Sequence, residues 1–316
     1  MITKIKGETM SYAFKDYQWS KDITIKEYLL PRSLAEAFEI LAKYNGKAQV
    51  IAGGTDVIPR LRHRDLDVEA LVDITHLPDM SGIREEADKI VMGGLTTHSQ
   101  IAASPLIREK AGILADGAGC LGSPQIRNIA TVAGNLVSGH PAADTSTPLL
   151  ALNASVTITS QEGDRVIPLT EFFLDKGKTA LDCRREILTQ IRFAALKKNQ
   201  GSSHLRLSKR RSLTVAVLIF AAVVEVDETQ NMIKAAQIAL GPVAPIPLRA
   251  SKTEASLRGA PINNETIERA AESVCRESNP INDPVWGSAE YKEEIIKVFT
   301  KRGLKRALKQ AGTPVE

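Results

Sequence analysis

Along residues 34–44 (LAEAFEILAKY) the apolar side chains recur at the spacing of one helical face, with Ser33 placed to cap the start and Asn45-Gly46 to end it. Residues 48–52 form a short apolar run before a glycine pair, the pattern of a buried strand entering a turn, and the element after it carries Arg60 and Arg62. Residues 70–75 read as a further strand, and residues 89–104 as strand, glycine turn and helix. Residues 104–119 read as one helix whose small residues continue to Gly119. The stretch 149–173 predicts a hairpin turning at Glu162-Gly163-Asp164, with a helix starting after Pro168, and residues 185–194 are another strand. At residues 197–203 the composition turns polar, which marks a linker. Beyond it the pattern predicts one long basic strand over 204–228, a hairpin through Thr229-Gln230-Asn231, a strand over 233–243, the proline-rich loop 244–250 and helices to the end. Strands followed by helices make the second half an α+β layer.

Composition narrows the class. A chain of 316 residues has room for two domains, and 43% hydrophobic with 25% charged residues is that of a globular protein. The excess of 41 basic over 37 acidic residues is slight and spread out, so no nucleic-acid partner is expected. The longest apolar run, residues 215–224, is half the length of a membrane span and reads as a buried strand. The N-terminal residues are polar and irregular, read as an arm, and have no signal-peptide core, so a cytoplasmic location is expected. Cys120, Cys183 and Cys275 form no CxxC pair, which supports neither a disulfide framework nor a metal or iron–sulfur site within the chain.

The glycines carry the candidate chemistry. Residues 117–122 (GAGCLG) satisfy GxGxxG with Asp144 about twenty residues on, but a helix precedes them and Pro124, Gly134, Gly139 and Pro141 forbid the long helix a Rossmann site needs. Close helix packing is the better reading of those glycines. AGGTD, residues 52–56, follows a buried strand; its glycines allow positive φ, its main-chain N–H groups can converge on an anion, and Thr55 adds a hydroxyl. It lacks the lysine of a nucleotide-triphosphate loop. A tight turn with a local side-chain hydrogen bond is the alternative. In TVAGNLVSGHPAAD, Gly134 leaves space for a flat ring or a pyrophosphate, and Thr131, Asn135 and Ser138 offer side-chain hydrogen bonds. Asp144 is either an acceptor for ribityl or ribose hydroxyls or the N-cap of a following helix. Two such cradles suit one long ligand with a diphosphate between bulky ends, the shape of FAD.

These segments, with residues 205–226 and 239–259, resemble the FAD-binding subunit of the xanthine dehydrogenase family of molybdenum hydroxylases, in the same order and over most of the chain. The resemblance implies an α+β fold: a FAD-binding clasp of the vanillyl-alcohol oxidase (PCMH) type in two subdomains, then a smaller C-terminal α+β domain. The division it suggests is an arm at 1–22, the flavin domain at 23–198 and the C-terminal domain at 204–312. It assigns the pyrophosphate to Ile51, Ala52, Gly53, Gly54, Thr55 and Asp56, and the flavin and ribityl portions to Thr131, Gly134, Asn135, Ser138 and Asp144. Leu188 falls near the adenine end, and Arg206 where relatives carry a lysine or similar group close to the flavin.

The function implied is electron relay: FAD takes electrons from [2Fe–2S] clusters of a small partner subunit and passes them to NAD or another acceptor, in a complex with a large molybdopterin-binding subunit. No catalytic residue and no metal ligand is assigned in this chain. The three dispersed cysteines exclude the version of this subunit that carries an extra cluster. A free-standing FAD-dependent oxidoreductase of the same fold is the alternative. His98 and His140 read as packing or capping residues. Residues 208–212 (SKRRS) read as a solvated edge near cofactor or partner, and residues 293–310 as a surface helix with Ile295, Val298, Phe299 and Leu304 on its apolar side.

Overall fold

The computed structural model describes residues 25–227 and 229–315, so the expected arm lies outside the described residues. Strands β1 (Glu27–Leu29), β2 (Ala48–Ile51) and β3 (Ala70–Asp73) make a small parallel sheet in the order β1-β3-β2. Helix Leu34–Tyr44 crosses between the first two, as parallel pairing requires. Its stop is the expected one, Asn45 at φ 44°. Ala37, Phe38 and Leu41 are buried against Val72, Ile74 and Leu77.

The second unit is an antiparallel sheet of β4 (Ile83–Glu86), β5 (Lys89–Gly93), β6 (Ser155–Ser160), β7 (Gly163–Pro168) and β10 (Glu186–Ala194), in the order β4-β5-β10-β6-β7. Strands β8 (Phe173–Asp175) and β9 (Lys178–Thr179) form a separate hairpin. The β6–β7 turn is Gln161-Glu162, tighter than the expected 162–164, because Gly163 pairs with Ser160. The helix expected after Pro168 is only a 3-10 turn, Leu169–Glu171. Between β5 and β6 run six short helices, among them Pro124–Ile129, Val132–Val137 and Ser146–Ala151. The single helix expected over 104–119 is two, Pro105–Lys110 and Gly112–Cys120, broken where buried Ala111 takes φ −158°. Gly117 explains the GAGCLG run, since a Cβ there would lie 2.7 Å from the Asp144 carbonyl oxygen and 2.8 Å from Pro148.

The third unit corrects the sequence reading most. The expected linker and long strand form two antiparallel strands, β11 (Gln200–Leu207) and β12 (Leu218–Asp227), joined by a loop at residues 208–217. Strand β13 (Met232–Gly241) pairs with β12, and the two-residue strands β14 (Leu248–Arg249) and β15 (Ala260–Pro261) pair with β13. The alternation of β12 is two-sided: Phe220, Ala222 and Val224 face helices Asn264–Glu277 and Ala289–Gln310, while Ala221 and Val223 join the core of the second unit. That sharing fixes the third unit against the second. The last helix buries Ile296, Thr300, Leu304 and Leu308, whereas Val298 is only half-buried. Part of its basic face is taken up within the chain, with Lys301 on Glu268 at 3.0 Å and Lys297 on Glu294 at 2.9 Å.

Candidate functional site

A cavity of about 1400 Å³ lies between the first and second units, with the tip of the β11–β12 loop at one end. It exceeds the roughly 300–1,000 Å³ of an ordinary small-molecule pocket. Its floor is the turn that leaves β2. Gly54 there has φ +70°, the left-handed region that glycine enters without strain. Gly53 is needed for a different reason: a Cβ on it would sit 2.0 Å from the main-chain oxygen of Ile129. The turn is thus pressed against the end of helix Pro124–Ile129. Ile51 supplies its carbonyl oxygen to Ile74 N–H at 3.0 Å, and below that point the chain has no strand partner. The main-chain N–H groups of Gly53, Gly54, Thr55, Asp56 and Val57 donate to no acceptor among the described residues. Uncommitted N–H groups gathered in one turn could converge on an anion, and a tight turn leading into a helix leaves the same groups open.

The second stretch is built differently from the expectation. Thr131 caps helix Val132–Val137, its Oγ1 accepting from Gly134 N–H at 3.2 Å. The N–H groups of Val132, Ala133 and Asn135 go to the carbonyls of Thr96, Gly94 and Thr131. Over residues 132–135, therefore, the main-chain donors are spent within the protein and the stretch offers side chains there, not a second cradle of main-chain N–H groups. Gly134 lines the cavity, and a Cβ on it would meet only Thr131 Oγ1, at 3.1 Å. Ser138 Oγ donates to Asn135 O at 2.7 Å, and Asn135 Oδ1 accepts from Thr145 Oγ1 at 2.6 Å.

Asp144 is not a helix cap; Thr145 holds that position. Its Oδ1 accepts from Arg206 Nε at 2.7 Å, and both side chains are about nine-tenths buried. Burial pushes its pKa up, and Arg206 opposes the rise. Arg206 also donates to the Thr214 carbonyl at 2.7 Å, so one guanidinium ties the cavity wall to the β11–β12 loop. Leu213, Thr214 and Val215 of that loop face the cavity.

Of the thirteen candidate residues, the structure brings Ala52, Gly53, Gly54, Thr55, Asp56, Thr131, Gly134, Asn135, Ser138, Asp144 and Leu188 around this one cavity. Ile51 is buried beneath the turn, and Arg206 stands behind Asp144. The lining also includes Arg60, Leu121, His140 and Lys178, which sequence reasoning did not assign. Arg60 had a signal, since it follows the first glycine turn by one helical turn. Lys178 had none, because its hairpin reaches the site only through tertiary packing. Asp56 has its pKa raised by burial, against the pull of His140 and Arg60.

His98 is wholly buried, with both ring nitrogens unpartnered. Burial holds its pKa down at about 4; the Thr131 main chain lies close enough to oppose the shift without meeting hydrogen-bond geometry, and Arg127 adds to it. It is a packing residue, as the sequence suggested. The run 208–212 is an exposed loop, with Lys209 lying 5.9 Å from the Trp286 ring centre. Cys120, Cys183 and Cys275 are free, and among the described residues no group of His, Cys, Asp and Glu is placed to hold a metal. Nor is any helix among them long and apolar enough to cross a membrane.

The cavity could hold FAD by its volume, and its lining includes the turn whose main-chain N–H groups find no acceptor among the described residues together with the cationic side chains Arg60 and Lys178. Comparison with known proteins agrees. Residues 21–194 match the family described as FAD binding domain in molybdopterin dehydrogenase, and residues 203–307 the CO dehydrogenase flavoprotein C-terminal domain. The chain is 31% identical to the carbon monoxide dehydrogenase medium chain of Hydrogenophaga pseudoflava, over 89% of this chain and 96% of that one. It is 32% identical to the xanthine dehydrogenase FAD-binding subunit of Escherichia coli O157:H7, over 89% and 95%. Among solved structures, a carbon monoxide dehydrogenase chain from Hydrogenophaga pseudoflava superposes with a TM-score of 0.86 at 30% identity, covering 90% of this chain and 98% of that chain. Quinoline 2-oxidoreductase from Pseudomonas putida 86 follows at 0.82 and 25% identity, covering 90% and 97%.

Proposed function

The chain belongs to the FAD-binding medium subunits of the carbon monoxide and xanthine dehydrogenase family of molybdenum hydroxylases, and on that premise we propose that it relays electrons between a partner's [2Fe–2S] clusters and a soluble acceptor, NAD or another carrier. The partners in this reading are a small [2Fe–2S] subunit and a large molybdopterin subunit, assembled in the cytoplasm. Bound FAD supplies the redox chemistry: it takes electrons singly from a cluster and gives up two together.

The chain's own residues do the rest. The N–H groups of Gly53, Gly54, Thr55 and Asp56 take the diphosphate, with Arg60 and Lys178 offsetting its charge. Thr131, Gly134, Asn135 and Ser138 form the wall for the flavin and ribityl portions, and Leu188 lies toward the adenine end. Asp144, paired with Arg206, accepts from ribityl hydroxyls. Ile51 and Arg206 act from behind, by holding the turn and the aspartate. The flavin domain then runs over 23–198, with 204–312 closing one end of the cavity.

One observation carries the reading: five adjacent main-chain N–H groups find no acceptor among the described residues, and the residues that bear them line one large cavity together with Arg60 and Lys178. Purifying the tagged chain from its natural host tests this. The expected result is a yellow complex of three kinds of chain containing molybdenum and iron, with FAD on this one. Recovery of this chain alone, yellow and oxidising a small molecule unaided, would establish the free-standing oxidoreductase instead.

A further inference from the structure

Resting on the reading of the cavity as a FAD site, we propose that His140 is a further dinucleotide-binding residue, its Nε2–H donating to the diphosphate that the 53–56 turn cradles. Three observations place it there.

The first is the tautomer. His140 Nδ1 accepts from the main-chain N–H of Ala142 at 3.1 Å, so that nitrogen carries the lone pair and the proton of the neutral ring sits on Nε2, on the opposite side. The ring is thereby set as a donor.

The second is that the backbone beneath the ring is fixed. His140 N–H donates to Ser138 Oγ at 3.3 Å, and its carbonyl accepts from Ala143 N–H at 3.0 Å. Gly139, at φ +60°, accepts from Gly177 N–H at 3.1 Å, and a Cβ on it would lie 3.0 Å from Gly177 and from Lys178 N. Two glycine turns in direct contact hold the histidine against the tip of the β8–β9 hairpin.

The third is what the ring faces. It lines the same cavity as the uncommitted N–H groups of the first turn and remains exposed there, so it is neither packed in the core nor capping a helix. The charged groups that act on it are Asp56 on that turn and Lys176 on the hairpin, and Arg60, on the helix that follows the turn, and Lys178, on the hairpin, line the same cavity. Crowding by the cavity walls and Lys176 holds the ring below the ordinary histidine pKa, with Asp56 opposing. A neutral donor beside two or three cations and one carboxylate suits a diphosphate, whereas flavin and adenine offer no such charge.

The test is titration of the FAD-stripped full chain with FAD and, separately, with riboflavin, which lacks the diphosphate, read by flavin fluorescence. His140→Ala is expected to weaken FAD binding by roughly tenfold to a hundredfold, the range for a lost hydrogen bond to a charged group, and to leave riboflavin binding unchanged. His140→Gln, whose amide N–H reaches the place of Nε2–H, is expected to stay within about threefold of the wild type. His140→Asn, which keeps a polar group only at the Nδ1 position, is expected to behave as His140→Ala, and guards against a misfolded alanine variant. Wild-type affinity in His140→Asn, or an equal loss for riboflavin and FAD, would overturn the proposal while leaving the cavity a FAD site. A wild-type chain that binds no FAD at all would overturn the cavity reading itself.

Discussion

Gly53 and Gly134 both line the cavity, yet the structure gives them opposite tolerance to a methyl group. At Gly53 the added carbon would lie 2.0 Å from Ile129 O, 2.5 Å from its carbonyl carbon and 3.0 Å from Ala130 N, all of them backbone. An ordinary contact needs more than a further ångström, and no side chain can swing away to provide it. The cradle turn and the end of helix Pro124–Ile129 must separate, which costs about 2–3 kcal/mol, the upper part of the range for overpacking. For a unit of this size that is a fall in Tm of roughly 4–12 °C. The movement also displaces the N–H groups proposed to hold the diphosphate, so FAD binding should weaken with stability. At Gly134 the only neighbour is Thr131 Oγ1 at 3.1 Å, and alanine is favoured over glycine in a helix by about 1 kcal/mol. Gly134→Ala should therefore leave the Tm of the stripped protein close to wild type, and FAD affinity should fall only if the ring lies against that bare main chain. Thermal unfolding of the stripped and loaded proteins, with FAD titration of each variant, reads all four quantities. A Gly53→Ala protein with unchanged Tm and unchanged FAD affinity would refute the packing argument, as would a stripped Gly134→Ala protein whose Tm falls as far as that of Gly53→Ala.

Other perturbations give separate readouts. Arg206→Met leaves Asp144 buried without its partner and should cost roughly 3–5 kcal/mol, read as a lowered Tm, whereas the double variant with Asp144→Asn should recover part of it. Thr131→Ala removes the cap on Gly134 N–H and should cost about 1 kcal/mol in chemical denaturation. For pH, the buried rings of His98 and His204 stay neutral in the folded chain down to about 4, whereas an unfolded imidazole takes a proton near 6.5. Their folded-state pKa values are depressed, so stability is lost as pH falls through that window, by at most roughly 3 kcal/mol for fully buried His98. His98→Gln should flatten the dependence of denaturation midpoint on pH between those values; an unchanged slope would mean the ring titrates normally in the fold.

Local pattern carried far into this chain. The helix Leu34–Tyr44 with its serine cap and asparagine stop follows directly from spacing, and so do β2, β3 and the β6–β7 hairpin. The AGGTD segment was legible as a glycine turn after a buried strand, while the sequence alone left open whether it was an anion cradle or only a tight turn. The rest depends on contacts distant in sequence. The 204–228 run looks continuous until one knows that residues 208–217 turn outward so that β11 can lie back along β12. Nothing near Gly53 in the chain announces that Ile129 presses on it. Nothing in the sequence shows that Arg206, expected close to the flavin, pairs with Asp144. Small residues at 117 and 139 likewise answer to neighbouring backbone distant in the chain.

The proposed relay requires this chain to accept electrons from a protein partner and not from an organic substrate. Anaerobic mixing of the FAD-loaded chain with its pre-reduced iron–sulfur partner, followed by flavin absorbance, separates the two. The flavin is expected to bleach on mixing with the partner and to stay yellow with aldehydes or heterocycles alone. A flavin that ignores the reduced partner and is bleached by a small molecule directly would contradict the relay.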